Sequence, residues 1–324
     1  MQKKIFAIHD EEEFNNAALT VFQFQYHNNP VYQKYVDYLG HEPTSINHYD
    51  AIPFLPIELF KSQKIYASSK TPDIVFSSSG TTGMISSMHP VADVDWYKES
   101  FRRCFQQFYG SAEDMAILAL LPSYLERDGS SLIYMIDDLI RQSKHPASGY
   151  FLYNHEDLFR TLQNLKAAGT KTLLIGVTYA LLDFSETYTV HFPELTIMET
   201  GGMKGKRKEM IRAELHNILS TAFGVDQIHS EYGMTELLSQ SYSNSKGLFK
   251  SPPWMKVLIR DTNDPLTLIK NGRAGAINVI DLANYYSCSF IATQDLGKLV
   301  DDTSFEILGR FDNSDIRGCN LLVQ

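Results

Sequence analysis

The sequence has only three cysteines in 324 residues, Cys104, Cys288 and Cys319. None forms a C-x-x-C pair, which argues against a disulfide framework and for reduced thiols in a reducing compartment. Basic charge is also scarce. Lys and Arg number 29 against 38 Asp and Glu, a net charge of −9. That balance argues against a nucleic-acid binder, which carries a basic stripe, although the basic patch at 204–208 can still contact phosphate. No apolar run approaches the ~20 residues of a membrane span, and residues 1–10 lack the apolar core of a signal peptide. The chain therefore reads as soluble and cytoplasmic. Repeats are missing. With 44% apolar and 21% charged residues, the composition is that of a globular chain with a sizeable core.

What the sequence does have is one unusual loop. Residues 76–83 read F-S-S-S-G-T-T-G, after the apolar run Ile74-Val75-Phe76. Ser77, Ser78, Ser79, Gly80, Thr81, Thr82 and Gly83 are all small, hydroxylated or both. Glycine lets the backbone turn and approach a ligand, and successive N–H groups in such a loop form an anion-binding concavity. The fitting ligand is a polyphosphate; the other reading is a flexible Gly/Ser linker. It is not a Walker A loop, because Met84 stands where that motif needs lysine.

Hydrophobic periodicity supplies the frame. Residues 11–39 read as helix, with Asp10 as N-cap and a break at Pro30. Residues 94–109, 130–142, 157–168 and 205–223 read as further helices. Apolar runs at 115–121, 171–176, 195–199 and 227–230 read as strands buried in a parallel sheet. Strands and helices alternate from about residue 70 to 230, which is the pattern of an α/β layer. The last third changes character. Residues 257–259, 275–281, 290–293, 299–300 and 305–308 read as short antiparallel strands separated by turns.

Four further clusters carry chemistry. Glu199-Thr200-Gly201-Gly202 follows a predicted strand, where open α/β sheets bind ligands; it is also an ordinary strand-to-helix turn. Glu231-Tyr232-Gly233-Met234-Thr235-Glu236 follows another strand. It offers an aromatic ring, a hydroxyl and a hard carboxylate that suits Mg²⁺, or else a plain helix-capping turn. Thr293-Gln294-Asp295 and Gly309-Arg310-Phe311-Asp312 place a carboxylate and a guanidinium where ribose hydroxyls can be held, or are hairpin and surface residues.

The order of these five segments resembles the adenylate-forming superfamily of acyl-, aryl- and luciferin-type ligases. Within it, Leu121-Pro-Ser-Tyr-Leu-Glu-Arg127 with Ser130, and the ending from Gly309 through Cys319 to Leu321, resemble the LuxE-type acyl-protein synthetases. The resemblance covers nearly the whole chain. It implies an α/β fold: a mostly parallel sheet layered with helices, then a small antiparallel β subdomain. This is the large domain of an adenylate-forming enzyme without its mobile C-terminal domain. The implied division is 1–60 as a helical segment packed on the core, 61–250 as the nucleotide-binding core and 251–324 as the β subdomain with a hinge-like end.

The resemblance also implies roles. Residues 77–83 would wrap the phosphates of ATP, Gly201 and Gly202 would line the adenine pocket, Tyr232 would stack on the base, and Gly233 would belong to the same nucleotide site. Thr235 would contact the phosphate that becomes AMP, Glu236 would hold Mg²⁺, and Asp295 with Arg310 would bind the ribose. A carboxylic acid, fatty or aryl, would be activated and passed to Cys319, whose neighbour Arg317 favours the thiolate. A reductase or carrier protein would then accept it. Cys319 is otherwise a small residue in a terminal strand. Cys104 and Cys288 read as inert, and His89 and His229 as satisfied polar residues. Arg127 either holds an anion or pairs with Glu126 or Asp128. Two other functions stay open: transfer to coenzyme A or another small acceptor, and a nucleotide-binding scaffold without catalysis. Two departures from the superfamily stand out. The loop lacks the usual proline and lysine after Gly83, and the chain stops soon after Asp312.

Overall fold

The computed structural model describes residues 2–78, 85–122, 129–201, 207, 210–269 and 272–310. After a first turn, α1 (Gln2–Ile5), come α2 (Glu11–Asn28) and α3 (Pro30–Tyr38). The Asp10 carboxylate accepts from Glu13 N at 2.8 Å, and Glu11, Glu12 and Glu13 in the first turn favour the positive end of the helix dipole. Asn29 ends α2 and caps α3, with Pro30 at the first helical position. The pair is fixed by polar contacts as well as apolar ones. Gln25, fully buried, donates to the carbonyls of Asn284 and Tyr285 and accepts from Ser289 N, each at 2.9 Å. A short strand, β1 (Leu55–Pro56), and one turn of helix, α4 (Leu59–Ser62), lead into the core.

The serine-rich loop is carried by a hairpin of β2 (Ile74–Ser77) and β3 (Met88–Val91). The α/β layer follows: α5 (Val94–Tyr109), β4 (Ala116–Leu120), α6 (Ser131–Ser143), β5 (Gly149–Tyr150), α7 (His155–Ala167), β6 (Thr172–Val177), α8 (Thr178–Thr187), β7 (Thr196–Thr200), α9 (Arg212–Phe223) and β8 (His229–Tyr232). The strands lie parallel in the order β5-β4-β6-β7-β8. Every residue of β4 and β6 is buried, as continuous apolar runs require when helices cover both faces. Gly176 permits the immediate turn into α8: a Cβ there would sit 2.8 Å from Leu181 Cγ.

Beyond β8 the sheet turns antiparallel without a break. It continues through β9 (Ser241–Ser243), β10 (Leu248–Lys250), β15 (Ser304–Arg310), β14 (Phe290–Leu299), β13 (Gly275–Asp281), β11 (Met255–Arg260) and β12 (Leu268–Ile269). The antiparallel strands expected from the last third thus extend the parallel ones edge to edge. Among the described residues, thirteen strands form this one sheet.

Several local expectations are corrected. The two strands read at 290–293 and 299–300 are one ten-residue strand, because Asp295 and Gly297 continue the ladder against β15 through a bulge. The helix read over 205–223 begins at Arg212. Strand β8 lies two residues further on than read, so Glu231 and Tyr232 are its last residues rather than loop. The hairpin strand β3, helix α8 and strands β9 and β10 were not read at all. Three of these are only three or four residues long, too short for a periodic signal.

Candidate active site

The described site residues converge where β7 and β8 end at their carboxyl side. Thr200 and Gly201 lie at the end of β7, and Tyr232 closes β8, leading into Gly233, Thr235 and Glu236. The neck of the hydroxyl-rich loop stands nearby. Ser78 Oγ accepts from Ser87 N at 2.8 Å, and Ser78 N donates to Ser87 O at 3.1 Å. Ser77 N donates to Gly129 O at 2.8 Å, which ties the neck to the segment before α6. Ser130 is the N-cap of α6. Residues 79–84, Gly202, Lys204, Tyr124, Arg127, Arg317 and Cys319 lie outside the described residues.

The turn after Gly233 is held from behind. His89, fully buried, donates from Nδ1 to the Thr235 carbonyl at 2.7 Å, and its Nε2 lies 3.0 Å from Asn284 Oδ1. Asn284 Nδ2 donates to the Glu236 carbonyl at 2.6 Å. Asp281, also fully buried, accepts from Leu238 N, Ser239 N, Ser239 Oγ and Ala283 N at 2.6–3.1 Å. An isolated buried carboxylate costs several kcal/mol; four donors offset that cost and lock the backbone that follows Glu236. None of His89, Asp281 and Asn284 belongs to a motif, and only their meeting in space gives them a role.

Burial pushes the His89 imidazole down to about 4, against its hydrogen bonds to the Thr235 carbonyl and Asn284 Oδ1, which act in the opposite direction. An unfolded histidine titrates near 6.5. The stability this buried neutral ring contributes is therefore complete above about pH 6.5 and is lost as pH falls toward 4. His89→Gln is expected to lose stability at pH 7 but to show an acid slope shallower by about 2 kcal/mol between pH 7 and pH 5. Urea unfolding at the two pH values measures it; an unchanged slope rejects the assignment.

Glu236 is 6% exposed. Burial raises its carboxyl above the ordinary range, with Ser87, its own backbone N–H, Arg310 and Lys61 acting in the opposite direction. It is therefore a carboxylate beside the loop neck whose burial a further cation would relieve. Among the described residues no group of three or more His, Cys, Asp or Glu is placed to hold a metal. A cation here would be bound by Glu236 and by ligand oxygens, as Mg²⁺ on nucleotides is.

Tyr232 is built into the core, 8% exposed, with its ring edge-on to Phe249 and Phe305 at 6.1 and 6.0 Å between centroids. Its hydroxyl donates to Asp295 Oδ2 at 2.8 Å. Asp295 is paired in register with Arg310 across β14 and β15, and Arg310 Nε lies 3.6 Å from Asp295 Oδ1. Three residues far apart in the chain thus form one acid–base–phenol cluster. Tyr232→Phe is expected to destabilise the protein by roughly 1.5–3 kcal/mol, because it strips a buried carboxylate of a hydrogen bond. Denaturant melting tests this.

Cys104 and Cys288 are fully buried, and burial pushes both thiols up, Cys288 to about 12. Their thiols donate to the carbonyls of Gln240 and Phe290, so both are inert. His229 is half-buried, with Nδ1 3.3 Å from the Tyr109 hydroxyl.

The architecture is that of the adenylate-forming ligases. A 2-hydroxyisobutyryl-CoA ligase bound to its acyl-AMP and CoA superposes with a TM-score of 0.70 at 13% identity, covering 93% of this chain and 75% of that one. ATP-bound MatB from Rhodopseudomonas palustris gives 0.56 at 17% identity over 76% of this chain, which spans half the length of that protein. At the level of sequence, the profile of the acyl-protein synthetase, LuxE, family matches residues 5–324, and the chain belongs to that family. A long-chain-fatty-acid–luciferin-component ligase of Vibrio harveyi is 24% identical over 93% of this chain and 84% of its own length. The chain is thus an ATP-using acid–thiol ligase of the acyl-adenylate-forming kind. Among the described residues no helix is long and apolar enough to cross a membrane.

Proposed function

We propose that this chain joins a carboxylic acid to ATP as the acyl adenylate and hands the acyl group to a protein thiol. The observation that carries the reading is the convergence, near the carboxyl end of β8, of the loop neck, Thr235, Glu236 and the Tyr232–Asp295–Arg310 cluster. Loop residues 77–83 receive the phosphates. Gly201 and Gly202 border the base together with Tyr232 and Gly233, and Tyr232 also holds Asp295 against the ribose hydroxyls with Arg310. Thr235 hydrogen-bonds the phosphate that becomes AMP. Glu236 holds Mg²⁺, which when bound neutralises charge on the phosphates and the departing pyrophosphate. No protein nucleophile is needed for adenylation, because positioning and electrostatics carry that step.

The acid is of the fatty class, which the name of the Vibrio harveyi relative supports. Cys319 takes the acyl group from AMP as a thioester, and a reductase or carrier protein in the cytoplasm accepts it from there. Acid-dependent ATP–pyrophosphate exchange, screened over acids of different lengths, tests the first half-reaction. Exchange with one acid class supports it, and ATP binding without exchange for any acid overturns it in favour of a scaffold.

A further inference from the structure

Between β13 and β14 the ladder opens beside Asp295. Ala276 pairs with Leu296 and Asn278 with Ala292, so Ile277 on one strand faces Thr293, Gln294 and Asp295 on the other. These three residues form a bulge, a device that re-aims side chains next to active sites. Asp295 pairs instead with Arg310 on β15, and its carboxylate meets the Tyr232 hydroxyl. A bulge takes backbone groups out of the ladder, and buried backbone groups need partners. Here a side chain from the next strand supplies the donors. Arg260, the last residue of β11, is 9% exposed. Its Nη1 donates to the Ile277 carbonyl at 2.6 Å and to Asn278 Oδ1 at 2.7 Å, and its Nη2 donates to the Thr293 carbonyl at 2.6 Å. The guanidinium thus spans the opening, with one nitrogen on each strand.

Thr293 carries the link on to the carboxylate. Its Oγ1 donates to the Ile277 carbonyl at 2.9 Å and accepts from Asp295 N at 3.1 Å. Arg260, Thr293 and Asp295 are therefore joined in one chain of hydrogen bonds. The arginine is costly to place there. Buried charges are ordinarily paired, yet the three acceptors of Arg260 are all neutral. Burial draws its guanidinium below the ordinary range, with Glu58, Tyr35, Asp295 and Tyr232 acting in the opposite direction. Asp295 feels the same charge: burial raises its carboxyl, and Tyr232, Arg310 and Arg260 oppose that rise. Regular pairing of β13 with β14 would need no guanidinium. A planar fork that reaches both strands at once suits the opened ladder, and a lysine ammonium would not span it.

We propose that Arg260 is a positioning residue for the nucleotide: it locks the bulge at Thr293–Asp295, which holds the Asp295 carboxylate toward the ribose and so sets the preference of the site for a sugar with both hydroxyls. The inference rests on the reading of Asp295 as the ribose-binding residue. Arg260 acts through Thr293 and Asp295 and touches no substrate. Without the fork, the Ile277 and Thr293 carbonyls lose their charged donor and the bulge relaxes, so Asp295 no longer stands where two hydroxyls can reach it. Sites built to hydrogen-bond a substrate hydroxyl reject the analogue that lacks it, and that rejection depends on how firmly the acceptor is held.

The test is calorimetric binding of ATP and of 2′,3′-dideoxy-ATP to the full chain, which needs no acid. The wild type is expected to prefer ATP by about tenfold to a hundredfold, the scale of hydrogen bonds to a charged group. In Arg260→Met and, separately, in the isosteric Thr293→Val, that ratio is expected to fall by about fivefold or more, with the Kd of dideoxy-ATP kept within about threefold of the parent. Two variants guard against one that fails to fold. Asp295→Asn is expected to abolish the preference, and adding Arg260→Met to it to change the ratio no further, because both act on the same contact. A ratio unmoved in both variants, or equal weakening of the two nucleotides, overturns the proposal and leaves the ribose reading standing. A wild type that binds both nucleotides equally well overturns the ribose reading and this inference with it, while adenylation is still judged by pyrophosphate exchange.

Discussion

Glu236→Gln is expected to lower acid-dependent ATP–pyrophosphate exchange by about a hundredfold to a thousandfold, the scale seen when charge stabilisation is removed from a transition state. The change keeps shape and removes only charge. Its effect on stability should run the other way. Burial raises the Glu236 carboxyl above its unfolded value, so its contribution to stability is present below the unfolded pKa and is lost as pH rises through the folded one. Charge on this buried side chain is thus a strain on the apo protein, and the glutamine variant is expected to melt no lower than the parent. Loss of exchange without loss of melting temperature separates function from folding. Exchange kept within about threefold of the parent would remove Glu236 from the metal site.

Cys319→Ser carries the second large effect. Covalent acylation, followed by intact mass with labelled acid, is expected to fall below detection, while pyrophosphate exchange stays near the parental rate. The two other thiols cannot substitute. Both are fully buried with pKa values raised by burial, and a thiolate rather than a thiol attacks the adenylate. Acylation that persists in the serine variant would place the thioester elsewhere. Full turnover with coenzyme A as acceptor would favour the small-thiol ligase over the acyl-protein synthetase.

The sequence by itself determined the class of fold and singled out the residues proposed for the site. Residues 76–83, Gly201, Tyr232 to Glu236, Asp295 and Arg310 each sit in a short local pattern, because loops that approach a nucleotide need glycine and hydroxyls at fixed spacing. The buried strands β4 and β6 were legible for the same local reason: helices on both faces demand unbroken apolar runs.

What only the tertiary structure decided is long-range and polar. Asp281 joins Leu238 and Ser239 across more than forty residues, and His89 reaches Thr235 across 146. Gln25 reaches Ser289 across 264. Such residues leave no periodic trace, since their cost of burial is offset by partners that lie elsewhere in the chain. The same holds for the continuous sheet, where three-residue strands β9 and β10 bridge the parallel and antiparallel halves.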